Sequence, residues 1–186
     1  MSRLPVSSEL NKIAKAISRS DGRGILVGGA VRDHFMDRRI SKDLDVEVFG
    51  LSMEKLESVL KQFGNIHAVG KSFGVLKLKT TTAEYDFSLP RREQKTGKGH
   101  RGFKIITDPA MSFKEAASRR DFTVNSIGYD LLENTLLDPF EGIEDIKHKK
   151  LRHLGPAFAE DPLRVYRAMQ FSARLEFKIS AQTAKF

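Results

Sequence analysis

The sequence predicts an α+β fold, a sheet domain to about residue 140 followed by a helical module. Three observations carry this prediction. Short apolar or alternating runs at 24–27, 44–48, 75–79 and 84–87 read as strands, with helical spacings between them. From about residue 112 the signals become mainly helical. The 186 residues are 40% hydrophobic, enough for a packed core and too many for general disorder.

The elements follow in order. Leu10, Ile13, Ala14 and Ile17 fall on one face of a helix over 7–19, which Gly22 and Gly24 end. Gly24 to Val27 is an apolar run that reads as a buried strand, Gly28-Gly29 breaks it, and Ala30 to Met36 reads as a short helix. Leu44, Val46 and Val48 alternate with Asp43, Asp45 and Glu47, a strand with one apolar and one acidic face. Met53 to Phe63 is an amphipathic helix, and Val75–Lys79 and Glu84–Phe87 are further strands. Residues 91–104 carry three glycines and neither period, the pattern of a mobile loop. Helix-like stretches follow at 112–118 and 121–127, then a short strand at 135–137 and a turn at Asp138-Pro139. Asp161-Pro162 opens a long helix to about Phe177, with Asp as cap and Pro in the first turn.

Composition narrows the function. With no Cys, disulfides and Cys-ligated metal or redox sites are excluded. No apolar run approaches the ~18 residues of a membrane span, and Met1 to Pro5 lacks an apolar signal core. The expectation is a soluble, cytoplasmic protein. Lys and Arg number 32 against 24 Asp and Glu, a net charge of +8, which points to a polyanionic partner. Residues 91–104 alone hold six basic residues and one acidic, so most of the excess sits in that loop.

The chemistry-bearing residues form three groups. Asp43 and Asp45, two apart on a strand, share a face and repel each other unless a cation lies between them. Hard oxygen ligands of this kind suit Mg²⁺ carrying substrate phosphates. Gly28 and Gly29, between strand and helix, offer bare backbone N–H groups to an anion, and Arg32, one turn on, is placed to clamp it. Each half alone reads equally as a turn or a solvated face; together they favour function. The second group is Arg119-Arg120-Asp121, with Asp121 placed to cap a short helix and Asn125 one turn on. The third is Asp161 with Arg164 and Arg167 on one helix face.

Gly28-Gly29-Ala30-Val31-Arg32-Asp33 followed by Asp43-Leu44-Asp45 resembles the signature of the polymerase-β-like nucleotidyltransferases. More narrowly, the chain resembles the class II tRNA nucleotidyltransferases (CCA-adding enzymes) and bacterial poly(A) polymerases. Arg119 to Asn125 is similar to that family's ribose-selecting motif, and Glu160-Asp161-Pro162-Leu163-Arg164-Val165-Tyr166-Arg167 to its nucleotide-selecting motif. The resemblance spans about residues 24–178. It implies a nucleotidyltransferase head over 1–145, with a mixed, mostly antiparallel sheet, and the start of an all-helical neck over 146–186. It implies CCA addition to the 3′ end of tRNA from CTP and ATP with Mg²⁺. The alternatives are poly(A), CC-adding or A-adding activity, or a non-catalytic RNA-binding protein that kept the fold.

Carried over residue by residue, Asp43 and Asp45 bind metal. Asp86 is the candidate third carboxylate, although an acidic residue on a solvated strand face reads equally. Gly28, Gly29, Arg32, Arg120, Asp121, Asn125, Asp161, Arg164 and Arg167 bind nucleotide. Asp161 accepts from an exocyclic amine and Arg164 donates to a ring nitrogen or carbonyl, which admits cytosine and adenine and mismatches uracil and guanine. The family's third arginine is replaced by Gln170, with Arg174 as its possible substitute. The basic loop matches a variable loop of the family, which implies holding the RNA acceptor end or helping the site switch between nucleotides; a solvated disordered loop reads equally.

Overall fold

A computed structural model describes residues 4–38, 44–68, 74–95 and 103–186. Helix α1 (Ser8–Ser18) starts where the Ser7 hydroxyl accepts the Leu10 N–H, and it buries Leu10, Ile13, Ala14 and Ile17. Strand β1 (Arg23–Val27), helix α2 (Gly29–Phe35) and strand β2 (Leu44–Phe49) follow. Helix α3 (Met53–Leu60), capped by Ser52, is shorter than its apolar spacing predicts. Then come β3 (Asn65–Ala68), β4 (Val75–Lys79), β5 (Glu84–Ser88), β6 (Arg91–Lys95) and β7 (Phe103–Thr107). Helix α4 (Phe113–Ser118) opens on a Ser112/Glu115 capping box. The remainder is β8 (Gly128–Asp130), β9 (Leu136–Leu137), α5 (Gly142–Lys147), β10 (Lys150–Leu151), α6 (Leu163–Leu175) and β11 (Lys178–Ile179).

Seven strands form one sheet in the order β3-β4-β5-β2-β1-β8-β9. Every pairing in it is antiparallel except β2 with β5. This is the mixed, mostly antiparallel sheet the sequence predicted. Strand β2 sits inside it and the two faces of β2 separate its chemistry. Val46 and Val48 enter the main core with Leu10, Ile13, Leu56 and Leu60 from α1 and α3. Asp45 and Glu47 point the other way. Their register partners on β1, Val27 and Ile25, join a second, smaller core with Phe49, Met111 and Ala116.

Two local expectations are corrected. Residues 121–127 are not a helix: a single 3-10 turn at Thr123–Asn125 leads directly into β8. The 91–104 segment is not a loop throughout. Strands β6 and β7 pair as an antiparallel ribbon, with Arg91 opposite Thr107 and Lys95 opposite Phe103. Arg-Arg-Glu-Gln-Lys shows no apolar alternation, so this pairing rests on the backbone ladder and left no trace in hydropathy. Residues 96–102 of that segment lie outside the described residues. Strands β3, β8, β10 and β11 and helix α5 were not foreseen.

The main core also takes in Phe158, Ala168, Phe171, Leu175 and Phe177, so α6 packs onto the same interior as the sheet. Its other side leaves Leu163, Tyr166 and Met169 exposed, three residues apart each time. Beside α6, β10 and β11 make a two-residue parallel pairing. Among the described residues no helix is long and apolar enough to cross a membrane.

Candidate active site

On the Asp45 side of the sheet lies a cleft of about 660 Å³. Four stretches supply most of its wall: Gly28 to Asp33, Asp45 with Glu47, Arg119 to Asn125, and α6 with its approach, from Asp161 to Arg174; Val75, Ser88, Leu89, Arg91 and Ala116 complete it. Ten of the candidate residues named from the sequence line it: Gly28, Gly29, Arg32, Asp45, Arg120, Asp121, Asn125, Asp161, Arg164 and Arg167. Seven arginines and five carboxylates face the cleft, so it is densely charged with a cationic excess.

The turn after β1 brings backbone against the acidic strand. Val27 pairs with Asp45, so the next residue, Gly28, comes beside the Asp45 side chain. A Cβ at Gly28 would lie 3.3 Å from Asp45 Oδ2, and Gly28 holds φ 74° and ψ −139°. Glycine alone adopts that conformation readily. Asp43 lies outside the described residues. Asp86 stands in register with Asp45 on the neighbouring parallel strand, but it does not line the cleft. Its carboxylate pairs with Lys77 at 3.2 Å.

A polar network ties the other walls together. Arg32, 4% exposed, donates through Nε and Nη2 to Asp33 Oδ1, at 2.9 and 2.7 Å, and through Nη1 to Asn125 Oδ1 at 2.7 Å. Asn125 Nδ2 donates to Asp121 Oδ1 at 2.9 Å, and Asp121 Oδ2 pairs with Arg167 Nη2 at 2.6 Å. Asp121 therefore does more than end a turn. It accepts from the Phe122 N–H at 2.8 Å, yet Phe122, not Asp121, is the cap residue of the 3-10 turn, which has no side-chain cap. Buried polar groups are stable only when their partners are present, and here each wall supplies partners to the next.

Helix α6 contributes the last wall. Asp161 Oδ1 accepts the Leu163 N–H at 3.0 Å, an N-terminal capping contact although Pro162 is the formal cap residue. Arg164 Nη2 donates to the Arg119 carbonyl at 3.0 Å. Phe171, 7% exposed, is ringed by three guanidinium groups: Arg174 at 4.6 Å, Arg167 at 5.0 Å and Arg32 at 5.5 Å from its centroid. Each is within cation–π range. Burial, and then the like charges of Arg32 and Arg167, pull the Arg174 pKa below its ordinary value. By hydropathy alone Phe171 reads as a core residue. Its i+4 spacing to Arg167 is the signal that was available. Arg91 and Glu47 are further cleft residues that sequence reasoning did not single out as sites.

A sheet whose inner strand presents carboxylates to an arginine-walled cleft, with a glycine turn at its edge, is a nucleotidyltransferase head. The model of the Poly A polymerase head domain matches residues 25–152, and the chain belongs to that family. It is 44% identical over 161 residues to a multifunctional CCA protein of Stenotrophomonas maltophilia, covering 85% of this chain and 38% of that one. The chain thus spans well under half the length of the curated relatives it matches. Among solved structures it resembles a tRNA nucleotidyltransferase complexed with a primer tRNA and an incoming ATP analog. That match has a TM-score of 0.75 and 32% identity, over 93% of this chain and 48% of the other. It resembles the Bacillus stearothermophilus CCA-adding enzyme in complex with CTP equally closely. There the TM-score is 0.75 and the identity 30%, over 94% of this chain and 41% of the other.

Proposed function

We propose that this chain is the catalytic head of a CCA-adding tRNA nucleotidyltransferase, acting in the cytoplasm on CTP, ATP and the 3′ end of tRNA. One observation carries the reading. Four stretches far apart in sequence put ten candidate nucleotide and metal residues around one cleft. The names of the relatives and of the solved structures support the same substrates.

Each residue then has a task. Asp45 offers hard oxygen donors at the cleft wall, and this suits a divalent cation. Asp43 and Asp45 would hold Mg²⁺, with Asp86 one strand away as the third carboxylate. The ion would supply neutralisation of the α-phosphate and acidification of the RNA 3′-hydroxyl. Gly28 and Gly29 approach the phosphates closely, and Arg32, Arg167 and Arg174 bring positive charge to them. Gln170 is exposed and outside the cleft, whereas Arg174 lines it against Phe171, so Arg174 takes the place of the third family arginine. Arg120, Asp121 and Asn125 hold the ribose. Asp161 and Arg164 read the base: Asp161 accepts from an exocyclic amine and Arg164 donates to the adjacent ring nitrogen. An unmatched buried polar group costs about 1–3 kcal/mol, so two of them exclude uracil and guanine. Residues 146–186 begin a helical neck, a division that the exposed row on α6 supports.

The test is Mg²⁺-dependent incorporation into a tRNA lacking its 3′ CCA, by a protein carrying this chain. CTP alone should give two additions, and CTP with ATP three. A long tail from ATP alone would instead indicate a poly(A) polymerase. tRNA binding with no incorporation would refute the enzyme reading.

A further inference from the structure

Glu47 is a buried carboxylate that the nucleotide reading does not use. It is 5% exposed, shares a strand face with Asp45 two residues earlier, and lines the cleft. A carboxylate so placed needs a cation, and Arg120 supplies it: Arg120 Nη2 lies 3.2 Å from Glu47 Oε2. The other side of the fork, Arg120 Nη1, donates to the Asn125 carbonyl at 3.2 Å. The guanidinium is therefore gripped at both ends, by the acidic strand and by the ribose-motif turn. The Arg120 side chain remains 22% exposed toward the cleft, against 6% for Glu47.

We infer that Glu47 is a positioning residue that aims the Arg120 guanidinium at the bound ribonucleoside triphosphate. The inference rests on the nucleotide reading above. Arg120 has a flexible stem, and Asp45 carries a competing carboxylate on the same strand face. Held on Glu47, the guanidinium stays off Asp45. The two acceptors fix the plane of the fork before substrate arrives, so less rotamer freedom is lost on binding. Glu47 need not touch the nucleotide for this.

The test is a double-mutant cycle of CTP affinity in Mg²⁺, measured by calorimetry on the 186-residue chain. The variants are Glu47→Gln, Arg120→Gln and the pair, each checked by circular dichroism to be folded at the assay temperature. Replacing a charge-assisted bond by a neutral one should weaken CTP binding roughly five- to tenfold in the Arg120 background. In the Arg120→Gln background the same change should do nothing, because its target is gone. A purely structural Glu47 would weaken binding equally in both backgrounds, and that result overturns the inference, as does unchanged affinity in folded Glu47→Gln. If Glu47→Gln does not fold, Glu47→Met, which leaves no half-satisfied polar group, goes through the same cycle. Absence of nucleotide binding by the unaltered chain overturns the nucleotide reading and this inference together. Tight binding by the unaltered chain, with no effect of Glu47→Gln, overturns this inference alone.

Discussion

Replacing Gly28 with alanine should damage the molecule in two separable ways. Gly28 sits at φ 74° and ψ −139°, where a Cβ strains the backbone by about 1–3 kcal/mol. A chain of this size loses about 2–4 °C of Tm per kcal/mol, so Gly28→Ala should melt about 2–12 °C lower. The second effect is local. The new Cβ would lie 3.3 Å from Asp45 Oδ2, a crowded contact that moves the carboxylate by tenths of an ångström. Since a displacement of about 1 Å at a reacting centre costs about a hundredfold, roughly tenfold is expected in turnover beyond any loss of folded protein. Gly29→Ala is the control. That residue starts α2, does not have a positive φ, and its Cβ would lie 3.4 Å from the far end of Arg32. Its Tm should match the unaltered protein or exceed it. The assays are thermal melting by circular dichroism and Mg²⁺-dependent CTP incorporation at a temperature where all variants are folded. If Gly28→Ala melts like the unaltered protein, or Gly29→Ala loses as much, the strain argument is wrong. If Tm falls but turnover per folded molecule holds, the contact with Asp45 carries no weight.

Three further outcomes are expected. Asp161→Ala should erode the preference for CTP and ATP over UTP and GTP in competition incorporation, and full discrimination in that variant would remove Asp161 from base reading. Burial, and then repulsion from Arg32 and Arg167, depresses the Arg174 pKa, so Arg174→Gln should leave Tm unchanged or higher while CTP affinity falls several-fold; a lower Tm with intact affinity would make Arg174 structural. Burial and then the charge of Arg152 hold the His153 pKa below its ordinary 6.5, so the unfolded chain takes up this proton first on acidification. The His153 contribution is therefore complete above about pH 6.5 and is lost as pH falls toward the folded-state pKa; melting curves from pH 7.5 to 5.5 should lose that part of their slope in His153→Gln.

The sequence made different parts of this molecule legible for different physical reasons. Helix α1 and strands β2, β4 and β5 pack one face on a core, so hydropathy repeats at their own period and marks them. Strand β8 is buried throughout and three residues long, too short to show a period, and it follows directly on the stretch expected to be helical over 121–127. Helix α5 is announced by a side chain instead of a pattern: Asp138 accepts the N–H groups of Gly142 and Ile143 at 2.7 and 2.9 Å. The site was legible where residue type dictates chemistry, as with Asp45, Arg120, Asp121 and Asp161. It was not legible where a residue acts through another. Glu47 looked like one more acid on an acidic face, because its ion pair with Arg120 joins positions 73 residues apart. Phe171 looked like core because only the folded helix stacks Arg167 and Arg174 on its ring, and only the sheet brings Arg32 there.

The charge distribution follows the same logic. The net excess of +8 pointed to a polyanion, and six of the basic residues sit together at 91–104, the segment that β6 and β7 frame. The cleft is built on another principle. Arg32 is held by Asp33 and Asn125, Arg120 by Glu47, and Arg167 by Asp121. An arginine wall without these acids would repel itself and scatter, and would bind a triphosphate only after ordering its side chains. Acids placed behind the arginines cancel much of the long-range field but fix each fork where a phosphate or ribose is to be met. The basic residues gathered at 91–104 are suited to the opposite task, drawing in RNA at a distance without fixed geometry. Salt should therefore separate the two. Raising ionic strength should weaken tRNA association steeply, whereas CTP affinity, resting on preorganised and partly buried groups, should fall much less. Equal salt slopes for the two ligands would show that the cleft, too, works by net charge alone.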